Sequence, residues 1–319
     1  MPLLDLPISE LKSYQGRNPK PNDYDQYWTK ALAEMNEIKP DIKLDKGPEF
    51  GDFVKCQDLT FTGLGRARIY AKLLTPTLSK KAGPALIHFH GYSISSGDWS
   101  TYLGWVANGF TVAALDVRGQ GGKSEDVGGV KGTTLEGHII RGLDDVPDKL
   151  LYRSIFMDCA QLAKIVSGMP SVDPNRMGAL GWSQGGGLAL ACAALYPKIA
   201  RVAAGYPFLC DYQRVWEMDM ISNAYSELRA WFKRHDPQHK RQDEVWNKLG
   251  YIDVQHLAIR IKAKTLMATG LMDDVCPPST QFAAYNKIKS EKELLVFPDF
   301  GHEGLPGAND LFYQFLGQL

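Results

Sequence analysis

The chain has no run of apolar residues approaching the roughly 18 to 20 that a membrane-spanning helix requires, and its longest apolar pieces, such as the one around Leu86-Ile87, are strand-sized. A soluble protein is expected. Net charge is missing as well: 36 basic and 36 acidic side chains cancel. No overall field therefore draws the protein to nucleic acid or to an anionic membrane surface, and the expected partner is a small neutral substrate. Cysteine is sparse. Cys56, Cys159, Cys192, Cys210 and Cys276 are odd in number, scattered, and free of the short paired spacings that bind zinc. They read as reduced, mostly buried thiols of a cytoplasmic protein. A secretory signal is not expected either, because Met1-Pro2-Leu3-Leu4-Asp5-Leu6-Pro7 puts an acid and two prolines where positive charge and an unbroken apolar stretch belong. No internal repeat and no low-complexity tract is found.

What remains is a chain of 319 residues with alternating strand and helix patterns. Tyr24, Trp28, Ala31, Leu32 and Met35 recur at helical spacing between Pro21 and Glu37, with Asn22 or Asp23 available as a cap. Two β-type runs, Val54 to Phe61 and Arg68 to Leu74, flank the turn Gly63-Leu64-Gly65 and predict an antiparallel hairpin at a sheet edge. Strands are then predicted at 85–90, 111–115, 176–180, 199–204, 264–269 and 293–297. Helices are predicted at 99–108, 155–166, 186–195 and 278–288, with a short one at the end of the chain. Such alternation implies right-handed crossovers and a mostly parallel sheet flanked by helices.

Three stretches stand outside that rhythm: an N-terminal extension over 1–50, an irregular Gly- and Asp-rich segment over 119–149, and an aromatic helical insertion over 208–256. The second is expected to line a site or an interface, the third to cap the active-site end of the sheet. The whole of 1–319 is read as one α/β domain.

The chemistry centres on Gly181-Trp182-Ser183-Gln184-Gly185, a Gly-x-Ser-x-Gly pattern between a strand and a helix. A sharp turn there would raise the Ser183 hydroxyl above the sheet edge as a nucleophile. Serine needs a base, and that base needs an orienting acid. Among the seven histidines, His302 alone lies in a glycine-flanked loop after the last strand. Asp273 and Asp274 both follow the preceding strand, and spacing does not separate them; Asp299 is the weaker third choice, being close to His302. The chain order Ser, Asp, His, each in a loop after a strand, is that of the α/β-hydrolase fold. The backbone amides of Gln184 and Tyr92 are the expected donors to a developing oxyanion.

Other patterns carry less. His88 and His90 share a strand face, but no acid-histidine cluster follows, so core packing is expected rather than a metal site. Pro237 interrupts the His235/His239 spacing. Gly119-x-Gly121 lacks the third glycine of a dinucleotide loop. No metal and no organic cofactor is expected.

Arg118-Gly119-Gln120, Gly181-Trp182-Ser183-Gln184-Gly185 and His302-Glu303, together with Cys276-Pro277-Pro278-Ser279-Thr280 and Phe282-Ala283-Ala284-Tyr285-Asn286, make the chain resemble, over nearly its whole length, the acetyl xylan esterases and cephalosporin C deacetylases of carbohydrate esterase family seven. The resemblance implies Ser183 as nucleophile, Asp273 rather than Asp274 as the acid, His302 as the base, and Tyr92 and Gln184 as oxyanion donors. It further implies an acyl pocket crowded by Tyr92, Phe208 and Val275, a homohexamer whose sites face an inner chamber, and a structural Arg118 tying loops near the site. Tyr206-Pro207-Phe208 and Trp216 to Met220 depart from the family pattern. The expected activity is deacetylation of acetylated xylo-oligosaccharides and cephalosporin-type compounds through an acetyl-enzyme. A general carboxylesterase, a serine peptidase and a non-catalytic binding protein are the alternatives.

Overall fold

A computed structural model describes residues 4–78, 81–126, 137–220 and 223–319. Nine strands form one sheet: β1 (Lys43–Lys46), β2 (Val54–Thr62), β3 (Arg68–Pro76), β4 (Gly83–Phe89), β5 (Thr111–Leu115), β6 (Val172–Trp182), β7 (Ile199–Gly205), β8 (Lys264–Gly270) and β9 (Lys292–Phe297). Their spatial order is β1-β2-β3-β5-β4-β6-β7-β8-β9. The first three are antiparallel to their neighbours, and β5, β4, β6, β7, β8 and β9 run parallel.

The parallel part follows from composition. Strand β5, Thr111–Leu115, is buried at every position, as a strand covered on both faces must be. Behind the sheet centre, every residue of the helix Gln184–Leu195 is buried. An alanine- and glycine-rich helix, apolar all round, fits that sandwiched position. The helix Leu151–Ser167 packs beside it, its long apolar face in the same core.

The structure departs from expectation in four places. The predicted hairpin of β2 and β3 exists with Val54 opposite Pro76 and Thr62 opposite Arg68, but it is not the edge, because β1 lies outside it. Lys-Leu-Asp-Lys is exposed at all four positions, so no alternation of burial marks that strand in the sequence. Asp23 occupies the N-cap of Tyr24–Glu37 without bonding the helix; its carboxylate accepts the Tyr251 hydroxyl instead. The helix predicted over 99–108 splits into a 3-10 turn, Trp99–Tyr102, and a short α-helix, Leu103–Ala107. Finally, Arg118 bonds Asp158 through two nitrogens at 2.6 and 2.7 Å and Leu64 O at 3.1 Å. It ties the end of β5 to a helix and to the β2–β3 turn rather than to loops of the site. Removing one partner of so buried a pair costs about 3 to 5 kcal/mol.

The N-terminal extension is fastened to the helical insertion. The Asp211 carboxylate accepts from the Tyr14 hydroxyl at 2.7 Å and from the amides of Arg17 and Asn18 at 2.9 and 2.7 Å. The insertion itself contains the helices Tyr212–Glu217, Ser226–His235, Gln242–Gly250 and Val254–Leu257. Within the irregular segment the only helical turn among the described residues is Pro147–Lys149; residues 127–136 of that segment, and 221–222 of the insertion, lie outside the described residues. All five cysteines are buried and unpaired. Among the described residues no helix is long and apolar enough to cross a membrane.

Candidate active site

Parallel strands deliver their following loops to one edge of the sheet, and ligand sites form there. The chain uses that edge five times: after β4 (Gly91 and Tyr92), after β6 (Ser183), after β7 (Phe208), after β8 (Asp273) and after β9 (His302).

Ser183 has φ 55° and ψ −120°, a left-handed conformation that costs a non-glycine residue roughly 1 to 3 kcal/mol. Packing enforces it. The turn is so tight that a Cβ on Gly181 would come within 2.3 Å of the Gly185 carbonyl, and a Cβ on Gly185 within 2.1 Å of Phe89 O. These glycines are needed for close approach of backbone to backbone. Bonds from the Ser183 amide to Gly205 O, 2.9 Å, and from the Phe208 amide to Ser183 O, 3.0 Å, lock the turn between β6 and β7.

The Ser183 hydroxyl lies 2.9 Å from His302 Nε2, and His302 Nδ1 lies 3.0 and 3.2 Å from the two Asp273 oxygens. Asp273 is fully buried. It also accepts from the amides of Val275 and Cys276 at 3.0 and 2.7 Å and from the Gln281 side chain at 3.3 Å. A carboxylate with this many donors is fixed in orientation. Asp274 is exposed, as is Asp299. Spacing had left the two adjacent acids equal; the turn after β8 points one inward and the other out. The loops of acid and base are joined by a bond from the Met272 amide to Phe300 O, 2.9 Å, and the Tyr206 ring packs 4.5 Å from the His302 ring.

The serine opens into a cavity of about 780 Å3 whose walls include Tyr92, Phe208, Val275 and Glu227. Tyr92 and Phe208 meet edge to face at 5.7 Å. All three residues expected at an acyl pocket are thus in its lining. A second cavity, about 710 Å3, lies against β1 and the loop 47–52 and has no histidine in its lining.

Gln184 opens the helix behind Ser183, and its side chain is buried. It exchanges bonds with Gln120, Nε2 of Gln120 donating at 2.7 Å and Nε2 of Gln184 donating back at 3.0 Å. Gln184 also donates to Gly91 O at 3.2 Å and accepts from the Tyr152 hydroxyl at 2.8 Å. Gln120 Oε1 accepts the Ser93 amide at 2.9 Å. This network couples the Ser183 turn to the loop of Tyr92, the two segments expected to supply oxyanion donors.

Sequence reasoning missed two residues. Gln120 sits in the noted Arg118-Gly119-Gln120 motif, but its partner Gln184 is far away in the chain. Glu227, buried in the cavity wall, carries no local pattern at all. Burial pushes its carboxyl up to about 7, against the pull of the Tyr92 hydroxyl and of backbone amides at Ile140, Ile139 and Gly137.

The noted histidines pack against protein groups. His90 Nε2 accepts the Val117 amide at 2.9 Å, His88 meets the Tyr102 hydroxyl at 3.1 Å, and His239 stacks on Phe232 at 4.5 Å. Asp273, Cys276 and His302 place ligand-type atoms within 4.8 Å of one another. In that set the acid and the imidazole are bonded to each other, and burial pushes the Cys276 thiol well above its ordinary range.

A mostly parallel sheet with serine, acid and histidine, in that chain order, on the loops after β6, β8 and β9 at its carboxyl edge defines an α/β-hydrolase. The profile of the acetyl xylan esterase (AXE1) family matches residues 1–319, and the chain belongs to this family of carboxylic-ester hydrolases. It is similar to acetyl xylan esterase 1 from a Thermoanaerobacterium species, with 56% identity, a TM-score of 0.95, and coverage of 98% of this chain and 99% of that one. An acetyl xylan esterase from a Paenibacillus species is 34% identical, with a TM-score of 0.91 and coverage of 98% and 99%. Acetyl esterase Axe7A of Xylanibacter ruminicola is 27% identical over 298 residues, 90% of this chain; the match spans 64% of that longer protein.

Proposed function

We propose that the protein removes acetyl groups from small oxygen esters, acetylated xylo-oligosaccharides and cephalosporin-type acetates among them, through an acetyl-enzyme on Ser183. One observation carries this: the Ser183 hydroxyl is 2.9 Å from an imidazole whose other nitrogen is held by the buried Asp273, and it faces a cavity walled by Tyr92, Phe208 and Val275.

The chemistry follows from the geometry. His302 Nε2 takes the hydroxyl proton as Ser183 Oγ bonds to the acetyl carbonyl carbon, and Asp273 stabilises the imidazolium that forms. Negative charge gathers on the carbonyl oxygen, where the amides of Gln184 and Tyr92 are the proposed donors. Collapse of the tetrahedral species breaks the bond to the alcohol oxygen, which takes the proton from His302. Water then adds to the acetyl-serine with His302 again as base, releasing acetate and regenerating the hydroxyl. The steps draw on side chains and amides of this chain, with water as the second nucleophile. The family membership and the two acetyl xylan esterase structures support acetyl as the acyl group. The buried, unpaired thiols support a reducing, cytoplasmic location.

The test is a panel of acetylated xylo-oligosaccharides and a cephalosporin acetate, run beside peptide amides, with fluorophosphonate labelling of wild type and Ser183→Ala. Acetate release together with labelling that Ser183→Ala abolishes is expected. Cleavage of peptide amides in preference to esters would overturn the reading in favour of a peptidase, and unlabelled wild type would overturn the serine mechanism.

A further inference from the structure

Glu227 lies in the first turn of the helix Ser226–His235, is 5% exposed, and lines the same cavity as Ser183. Acidic residues are common in the first turn of a helix because they favour its positive end, but that role needs no burial. This carboxylate faces inward instead. One oxygen accepts the Tyr92 hydroxyl. The other accepts the amides of Ile139 and Ile140 at 2.7 and 3.1 Å. Among the described residues its bonded partners are a phenol and backbone amides, and burying a carboxylate on neutral donors is costly. Such a group is informative where it joins separate elements of the chain at one point.

Three elements meet at it: the insertion helix, the segment 137–140, and the loop after β4. The Tyr92 ring is boxed in by His138 at 5.0 Å and Phe208 at 5.7 Å, so the bond to Glu227 fixes the one polar end of a ring that packing already surrounds. Tyr92 is also joined by its chain neighbour Ser93 to Gln120, and through Gln120 to Gln184 behind the nucleophile.

We infer that Glu227 is a positioning residue for ester cleavage: by holding the Tyr92 hydroxyl and the Ile139 and Ile140 amides at once, it sets the Tyr92 wall of the acyl site and the loop bearing the Tyr92 amide. This rests on the esterase reading above. Glu227 itself does not touch the reacting atoms. It acts through Tyr92, and displacement of a positioned group by about an ångström costs up to roughly 100-fold in rate.

The experiment compares Glu227→Gln, Tyr92→Phe and the double variant with wild type. The readouts are kcat and KM on p-nitrophenyl acetate, the butyrate-to-acetate ratio of kcat/KM, and the stoichiometry of fluorophosphonate labelling. Both single variants should lose roughly 10- to 100-fold in kcat with KM nearly unchanged, label fully, and show a raised butyrate ratio. The double variant should be no worse than the more impaired single one, because both changes act on the same Glu227–Tyr92 contact. Wild-type kcat and acyl preference in Glu227→Gln would overturn the inference, as would losses that multiply in the double variant. If Glu227→Gln does not fold, Tyr92→Phe, which keeps the ring, decides: a wild-type kcat and acyl ratio there overturn the inference. A wild-type enzyme that neither labels nor hydrolyses the acetate would instead overturn the esterase reading itself.

Discussion

Gln120 and Gln184 face each other with paired side-chain amides, each donating to the other's oxygen, at 2.7 and 3.0 Å. Both are essentially inaccessible, at 1% and 0% exposure. Gln120→Ala would therefore remove the acceptor of the Ser93 amide and take one donor and one acceptor from the buried Gln184 amide, which would keep Gly91 O and the Tyr152 hydroxyl. Leaving such groups unpaired costs about 1 to 3 kcal/mol. Urea unfolding should show that loss, and kcat on an acetate ester should fall with it because the Tyr92 loop loses its Ser93–Gln120 tie to the Ser183 turn. A variant with wild-type stability and turnover would show the pair to be dispensable.

The two adjacent acids give a second prediction. Asp273 is bonded to His302 and fully buried, and Asp274 is exposed. Asp273→Asn replaces the acceptor that fixes the imidazole tautomer, and a loss of roughly 10,000-fold in kcat is expected. Asp274→Asn should cost far less. Steady-state kinetics on both variants checks this, and equal losses, or the greater loss at Asp274, would reverse the assignment.

Residues whose roles are set by local backbone were legible in the sequence, and those set by distant contacts were not. Ser183 announces itself because two glycines must flank a turn that tight, and the strand-turn-helix around it is a local pattern. His302 is legible from its loop after the last strand. By contrast, the choice between Asp273 and Asp274 depends on which way one turn points, and spacing carries no such information; only the likeness to a family separated them. Strand β1 was invisible because an edge strand exposed on both faces has no alternation. Gln120 and Glu227 were missed for a related reason. Their partners, Gln184 and Tyr92, lie far off in sequence, and a glutamine after a strand or a glutamate opening a helix is ordinary in isolation. Arg118 was noticed, but its partner Asp158 on a packed helix places it in the core.

Assembly provides a third prediction. The likeness to carbohydrate esterase family seven implies a homohexamer, and the irregular segment 119–149 is the expected interface element. Sedimentation equilibrium should then give a mass several times the 35.5 kDa of the chain. A monodisperse monomer at micromolar concentration would overturn the assembly and leave the catalytic reading intact.

Glu227 yields a dependence of stability on pH. Burial raises its carboxyl from 4.5 to about 7. An acid raised on folding binds its proton more tightly in the folded state, so its stabilising contribution is complete below the unfolded value and is lost as pH rises through about 7. Among the described residues, the neighbours whose titration is shifted lie outside this window. His138 is lowered to about 4, and burial raises Tyr152 and Tyr212 well above the phenol range; the Tyr92 hydroxyl is the direct donor. Asp253 also rises to about 7, but it is common to wild type and Glu227→Gln and cancels in their difference. The stability of wild type relative to Glu227→Gln should therefore fall by up to roughly 3 kcal/mol between about pH 5 and about pH 8. Denaturant unfolding of the two proteins across that range measures it, and a flat difference would mean that Glu227 keeps an ordinary carboxyl.

The last prediction concerns the acyl group. Phe208 is 1% exposed and held between the rings of Tyr92, 5.7 Å away, and Tyr225, 4.6 Å away. A side chain so packed does not swing aside for a longer acyl chain. Each added methylene would gain about 0.8 kcal/mol if it found room, whereas forcing it into a filled site costs roughly 1 to 3 kcal/mol. The steric term wins, so kcat/KM for p-nitrophenyl esters should fall from acetyl to butyryl and nearly vanish by octanoyl. Phe208→Ala should flatten the series by opening the wall while leaving Ser183, His302 and Asp273 in place. A maximum at butyryl or beyond in the wild-type enzyme would show that the rings do not close the acyl site, and that acetyl preference has to be sought in some other part of the cavity.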